Sequence, residues 1–423
     1  MRVLIVNTSE KTGGAAVAAN RLMNTLNNNG VKAKMLVCQK ETDSLTVVGL
    51  AQSFRLHWNF LWERWCIFFH LHFSRKHLFE IDIANTGTDI TSLPEFQEAD
   101  VIHLHWINQG MLSLKGIQKI LNSGKPVVWT MHDIWPATGI CHLTLGCSSF
   151  KSSCKNCKYL PGNGSSHDLS ARTWKRKKQM LDKCSVFFVA CSRWLQGEAK
   201  QSALLKDLRV ESIPNPIDTH IFLDSSKRSA RERLNLPQDR NLVLFVSQRV
   251  TNVNKGMDYL IEAFRLLKEQ HQEFAEKTEV VILGGHAEEI TGRLPFKVWP
   301  LGYVSDSGTI VDVYNASDVF VLPSLSENLP NTIMEAMSCG VPCVGVKVGG
   351  IPEMIDHQEN GYVAEFKDID DLAKGIHWIL EEADYEKLSE HAIKKVARSY
   401  SQQSVAAKYI EVYNQALASK RSY

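Results

Sequence analysis

The chain has 423 residues, 44% of them hydrophobic and 22% charged, a balance that suits a water-soluble globular protein and a length that exceeds one ordinary core, so two domains are expected. Its formal net charge of +2 offers no excess field to gather phosphates, which excludes a dedicated nucleic-acid binder. No run of about 18 apolar residues and no signal-peptide pattern occur, so no bilayer span is expected; the chain reads as cytoplasmic, with reduced cysteines.

The apolar start at 3–6 runs straight into Asn7-Thr8-Ser9-Glu10-Lys11, a strand entering a polar turn. Gly13-Gly14 follows, directly before a helical pattern over 16–28. Glycines there let backbone approach a ligand, and a helix N-terminus favours negative charge, although a plain turn reads the same way. Further buried strands are expected at 34–37, 101–104, 127–130 and 186–190. Residues 54–79 break the alternation. Phe54, Trp58, Trp62, Trp65, Phe69, Phe73 and Phe79 are interleaved there with Arg55, His57, Arg64, His70, His72, Arg75, Lys76 and His77. Such a stretch can fill a core or lie in the headgroup layer of a membrane. The run Lys175-Arg176-Lys177-Lys178 reads as a solvated helix face, with a contact to anionic lipid or a charged acceptor as the other reading.

Cys141, Cys147, Cys154 and Cys157 fall within one Gly-, Ser- and Lys-rich loop. The last two have the spacing of a zinc knuckle, and four thiolates would satisfy a structural zinc, against free thiols or a disulfide pair; His142 is a substitute ligand. Beyond it, Ile213-Pro214-Asn215-Pro216-Ile217-Asp218 is a stiff turn that marks a domain boundary. Residues 227–233 read as a charged linker. Strands follow at 242–247, 280–283, 319–322 and 343–346, helices at 258–269 and 331–338, and the tail 401–423 is helical by pattern. Apolar strands alternating with helices define an α/β class with parallel sheets.

The strongest chemistry lies after the strand ending at Leu322. A loop carries Glu327, a helix is expected to open at Pro330, and Glu335 falls about one turn into it. Two carboxylates then stand at the open end of a parallel sheet, where doubly wound folds bind ligands. Backbone N–H groups at the helix start are able to take a diphosphate. Arg249 and Lys255, in the loop leaving the 242–247 strand, supply fixed positive charge for a departing diphosphate.

With these residues the chain resembles the GT4 group of GT-B glycosyltransferases. Glu327 and Glu335 match its E-x7-E signature, continued by Ala336-Met337-Ser338-Cys339-Gly340-Val341-Pro342. Arg249 and Lys255-Gly256 match its phosphate-clamping pair, and Pro214-Asn215-Pro216-Ile217-Asp218 resembles its interdomain Pro-Asn-Gly-Val-Asp. Gly349-Gly350-Ile351-Pro352-Glu353 and Asn360-Gly361 also fit. One departure is Asn328-Leu329-Pro330 where the family often has Gly-Phe-Gly; Pro330 offers no N–H, so phosphate contacts there fall to Leu329, Asn331 or Thr332.

The resemblance implies a GT-B fold of two Rossmann-like domains with an interdomain cleft: an acceptor-side domain over 1–220, a donor-binding domain over 221–400, and a helix at 401–423 packing back on the first. It implies a nucleotide-diphosphate sugar donor, transfer with retention to a hydroxyl of a glycan or lipid-linked glycan, and no catalytic metal. Glu335 would bind the nucleotide ribose, Glu327 the donor sugar hydroxyls, Arg249 and Lys255 the diphosphate. His132 matches the first-domain histidine that approaches the transferred sugar, with a structural strand-end histidine as the other reading. Gly13, Gly14 and Asn215 would border the donor, and Gly284-Gly285 with Gly302 the base. Look-alikes build bacterial capsule, O-antigen or exopolysaccharide; this chain itself is expected in the cytoplasm, with a peripheral contact at the inner face of the cell membrane as a further expectation. A non-catalytic nucleotide-sugar-binding scaffold, or an epimerase or phosphorylase of the same fold, are the alternatives.

Overall fold

Side chains alternate along the first strand, β1 (Arg2–Val6). Leu4 and Val6 enter one apolar cluster, Val3 and Ile5 another. A strand buried on both faces needs a layer on each side, which a parallel sheet between helices supplies. The computed structural model, which describes residues 1–50, 54–182 and 184–421, contains two units of this kind: Met1–Asn215 with Val405–Tyr423, and Pro216–Ser404.

In the first unit β2 (Lys32–Val37), β3 (Val47–Gly49), β4 (Val101–Leu104), β5 (Val127–Met131), β6 (Val186–Ala190) and β7 (Val210–Ser212) join β1 in the order β3-β2-β1-β4-β5-β6-β7. Every pairing is parallel, with Val3 opposite Val101 and Val6 opposite Leu104. β3 and β7 were not expected from sequence: each is three residues long, sits at an edge and is half-buried, so the apolar signal is weak. The helix Gln402–Arg421 lays Val405, Tyr409, Val412, Tyr413 and Ala416 against Val3, Ile5 and Val128. Tyr413 Oη lies 2.7 Å from His103 Nδ1, and Thr130 Oγ1 joins His103 Nε2 at 2.7 Å to Tyr409 Oη at 3.0 Å.

One expectation is corrected here, and one of two open readings is removed. Lys177 is not on a solvated face: in the helix Leu169–Leu181 it shares the buried stripe with Thr173 and Met180. Its ammonium donates to the carbonyls of Trp135 (2.6 Å) and Thr138 (3.1 Å) and sits 3.3 Å from the Trp135 ring centroid. Burial pushes it down to about 7. The aromatics of the helix Phe54–His70 do not fill the core either; its inward residues are Asn59, Glu63, Arg64 and Ile67.

In the second unit β8 (Asn241–Arg249), β9 (Thr278–Gly285), β10 (Val298–Gly302), β11 (Val319–Leu322), β12 (Cys343–Val346) and β13 (Gly361–Ala364) take the order β10-β9-β8-β11-β12-β13, again all parallel. The chain starts at the sheet centre, winds one way, then returns to wind the other. That places a topological switch point between β8 and β11, the position at which loops part to leave a crevice. Residues 227–233 are a helix rather than a linker. Ser226 caps it by accepting from Ser229 N, and Arg231 and Lys227 both pair with Asp318.

Candidate active site

Four loops leave the C-terminal ends of β8, β9, β11 and β12 in the second unit, and three of them are locked together by backbone. The β8 loop turns at Gly256, whose φ of 73° is left-handed and whose added β-carbon would stand 1.8 Å from the Pro323 carbonyl oxygen. Leu325 N donates to Asn254 O at 2.8 Å, tying the β8 loop to the β11 loop. Gly349, in the β12 loop, also has positive φ, and a β-carbon there would come within 1.7 Å of Glu327 O. Gly350 N donates to Asn328 O at 2.7 Å. These contacts hold the stretch bearing Glu327 from both sides.

Lys255 and Glu327 are brought together: the ammonium pairs with Glu327 Oε1, which also accepts from Ser324 Oγ at 3.0 Å. Both side chains are largely covered, at 30% and 12% exposed, so the pair is a pre-set charge couple and not a loose surface contact. Glu335 is buried in the helix Asn331–Ser338 and accepts from Tyr314 Oη at 2.8 Å. Arg249 is exposed at the end of β8, with Nε 3.0 Å from Thr251 Oγ1. Pro330 is the residue before the helix, not its first turn, at φ −70° and ψ 118°. Asn331 and Thr332 are therefore the first two helical residues; the helix start has no side-chain cap and no acid in its first turn, while Leu329 is buried beside it.

In the first unit Gly13 has φ 92° and precedes the helix Gly14–Asn28, which likewise has no side-chain cap. Asn215 is buried and ends the first segment of that unit. His132 follows β5; its Nε2 lies 2.9 Å from His105 Nδ1 and its Nδ1 3.5 Å from Cys191 Sγ. Burial holds its imidazole at about 4, so it is neutral at physiological pH. His105 Nε2 is buried with no hydrogen-bond partner among the described residues.

Beside this pair lies a charge network that the sequence reasoning missed. His142 bridges Asp133 Oδ2 (2.7 Å) and Asp82 Oδ2 (2.6 Å), Trp106 Nε1 donates to Asp133 at 3.0 Å, and Arg64 pairs with Asp82. Burial alone would lower the His142 imidazole; the carboxylates of Asp133 and Asp82 override it and push it up to about 10. Both of its ring nitrogens are thereby engaged, which removes it as a substitute metal ligand. For the His105–His132 pair the available signal was His103-Leu104-His105 at the C-terminal end of β4, next to the switch point with β1.

Cys141, Cys147, Cys154 and Cys157 line one cavity. Among the described residues, however, no three His, Cys, Asp or Glu side chains are grouped so that they could hold a metal ion. The arrangement gives the zinc expectation no support.

Two doubly wound parallel sheets, the second carrying the Lys255–Glu327 couple on the loops at its switch point, define a two-unit α/β architecture. Residues 12–221 match the family model Glycosyltransferase Family 4 and residues 226–398 match Glycosyl transferases group 1. The chain belongs to the GT4-like glycosyltransferases of the GT-B fold. An uncharacterized glycosyltransferase of Methanocaldococcus jannaschii is 27% identical, covering 80% of this chain and 90% of that one. A D-inositol 3-phosphate glycosyltransferase of Catenulispora acidiphila is 29% identical over 51% of this chain and 52% of that relative, about half its length. Among solved structures, sucrose-phosphate synthase from Thermosynechococcus elongatus aligns with TM-score 0.68 at 18% identity, covering 99% of each chain. Anabaena HepE in complex with UDP and glucose aligns with TM-score 0.66 at 17% identity, covering 98% of this chain and 99% of that one. At such identities the likeness speaks for the fold.

Proposed function

We propose that this glycosyltransferase moves a sugar, with retention of configuration, from a nucleotide-diphosphate donor to a hydroxyl of a glycan or lipid-linked glycan. The setting is polysaccharide assembly such as capsule, O-antigen or exopolysaccharide, in the cytoplasm at the inner face of the membrane. The Lys255–Glu327 couple at the switch point of the second unit carries the reading. Without donor the two side chains neutralise each other. A bound donor offers the ammonium a diphosphate and the carboxylate a sugar hydroxyl, so both partners keep a counter-group while the leaving charge grows. Arg249 is assigned to the same diphosphate, and the uncapped start of the helix Asn331–Ser338 supplies Leu329, Asn331 and Thr332 backbone dipoles. Glu335, held by Tyr314, is assigned to the ribose.

No protein nucleophile is needed if the departing diphosphate oxygen takes the proton of the incoming hydroxyl on the same face. Fixed cations do the work of a catalytic metal in this scheme. The neutral His132 is assigned to the transferred sugar, with Gly13, Gly14 and Asn215 bordering the donor. HepE, solved with UDP-glucose, supports a nucleotide-sugar donor by its likeness. The test is a melting screen with UDP, GDP and ADP and their sugars, followed by donor hydrolysis with wild type and Glu327→Ala. Nucleotide-dependent stabilisation with turnover lost in the variant supports the proposal. Binding without turnover in either protein points to a non-catalytic scaffold instead.

A further inference from the structure

The helix Phe54–His70 is built inside out. Its inward side is polar: Glu63 Oε1 accepts from the backbone of Ile83 (3.0 Å) and Ala84 (2.6 Å), Arg64 donates to Leu78 O (2.6 Å) and pairs with Asp82, and Asn59 Oδ1 accepts from Thr86 Oγ1 at 2.7 Å. Its outward side is aromatic at helical spacing. Phe54, Trp58, Trp62, Trp65 and Phe69 are 77, 50, 51, 53 and 57% exposed, and Phe73 just beyond the helix is 58% exposed. The rings run together along the surface, Phe54 to Trp58 at 5.6 Å and Phe69 to Phe73 at 5.7 Å between centroids. A folded chain that anchors the polar side chains of Asn59, Glu63 and Arg64 beneath the helix and leaves this stripe in water has an apolar patch in need of a cover.

Two features identify the cover. The apolar surface is mostly Trp and Phe, whose flat amphipathic or polarisable rings favour the boundary between headgroups and acyl chains. The charges exposed over 54–80 are Arg55 at one end and Arg75 and Lys76 at the other, against the single acid Glu80, which lies 2.8 Å from His77. A second copy of the chain on this stripe would set those cations against their own kind, whereas an anionic bilayer complements them. We propose that the Phe54–Phe73 face is a membrane-docking surface that inserts its aromatic stripe into the interface of an anionic leaflet. This deepens the membrane-side reading of the acceptor but stands on surface chemistry alone, so it fails or survives independently of catalysis.

The test is flotation of the full chain with vesicles of phosphatidylcholine alone or with 30% phosphatidylglycerol, as roughly a third anionic lipid. Wild type should float with anionic vesicles and bind neutral ones on the order of a hundredfold more weakly, taking about fivefold for each of three cations. Trp58→Ser/Trp62→Ser/Trp65→Ser should abolish flotation, and Arg55→Glu/Arg75→Glu/Lys76→Glu should remove the anionic preference. Nucleotide-induced stabilisation should be unchanged in both, because all six side chains are exposed and none belongs to the second unit's loops. Brominated lipid should quench wild-type tryptophan emission. Wild type remaining unbound to anionic vesicles, or a solution dimer that the triple serine variant converts to monomer, would overturn the proposal.

Discussion

Gly256→Ala is the sharpest test of how the second unit's loops are held. The residue sits at φ 73°, and its new β-carbon would meet the Pro323 carbonyl oxygen at 1.8 Å. Left-handed backbone costs an alanine about 1–2 kcal/mol, and forcing one methyl into packed atoms about 1–3 kcal/mol more. For a unit of this size each kcal/mol moves the melting point by about 2–4 °C, so a fall of roughly 4–20 °C is expected. Gly292→Ala is the control: its φ is −71° and nothing lies within 4 Å of the added carbon. Scanning fluorimetry with and without UDP reads both effects, because a displaced Pro323 also shifts Ser324 and Glu327 away from Lys255. If Gly256→Ala melts within two or so degrees of Gly292→Ala and gains as much from nucleotide, as roughly equal shifts, the close backbone approach does not set the site.

Glu327→Gln should lower donor turnover by roughly 10–150-fold, the equivalent of a hydrogen bond to a charged group, while leaving the fold intact by circular dichroism. Tyr314→Phe removes one neutral partner of Glu335 and should cost about 1 kcal/mol in melting, with a rise in donor KM larger than any fall in kcat. His142→Asn probes the buried network by pH. The folded imidazole is raised to about 10 from an ordinary 6.5, so its stabilisation is full below about 6.5 and fades as pH climbs towards 10. The melting difference between wild type and variant should therefore be largest at pH 6 and shrink by pH 9.5; a gap that widens with pH refutes the assignment. Dialysis against EDTA should leave donor turnover unchanged if Arg249 and Lys255 carry the diphosphate charge.

The central strands were legible because each is a short, mostly apolar run without polar alternation, His103 being the one polar residue among them: 101–104, 186–190, 319–322 and 343–346 coincide with β4, β6, β11 and β12. Edge strands were harder to read, since β3, β7 and β13 are short and carry Gly or Glu within them. β13 was missed as a strand although its Asn360-Gly361 start was noticed. The E-x7-E spacing led to Glu327 and Glu335, but not to their partners Ser324 and Tyr314, which are ordinary residues until folding sets them beside a carboxylate. The burial of Lys177 was hidden for a different reason: within a run of four cations only the helical phase, fixed by neighbours such as Thr173, picks out the one turned inward. The Asp82–His142–Asp133 bridge joins positions far apart in the chain, so no local spacing announces it.

The Gln402–Arg421 helix has a consequence for biogenesis. Its Val405, Tyr409 and Tyr413 complete a core begun by Val3 and Ile5, so the first unit is assembled from two segments separated in sequence by the whole second unit. During synthesis the ribosome must make the entire intervening unit before that core can close, and until then the part of the nascent sheet not covered by the helix Gly14–Asn28 stays open to chaperones.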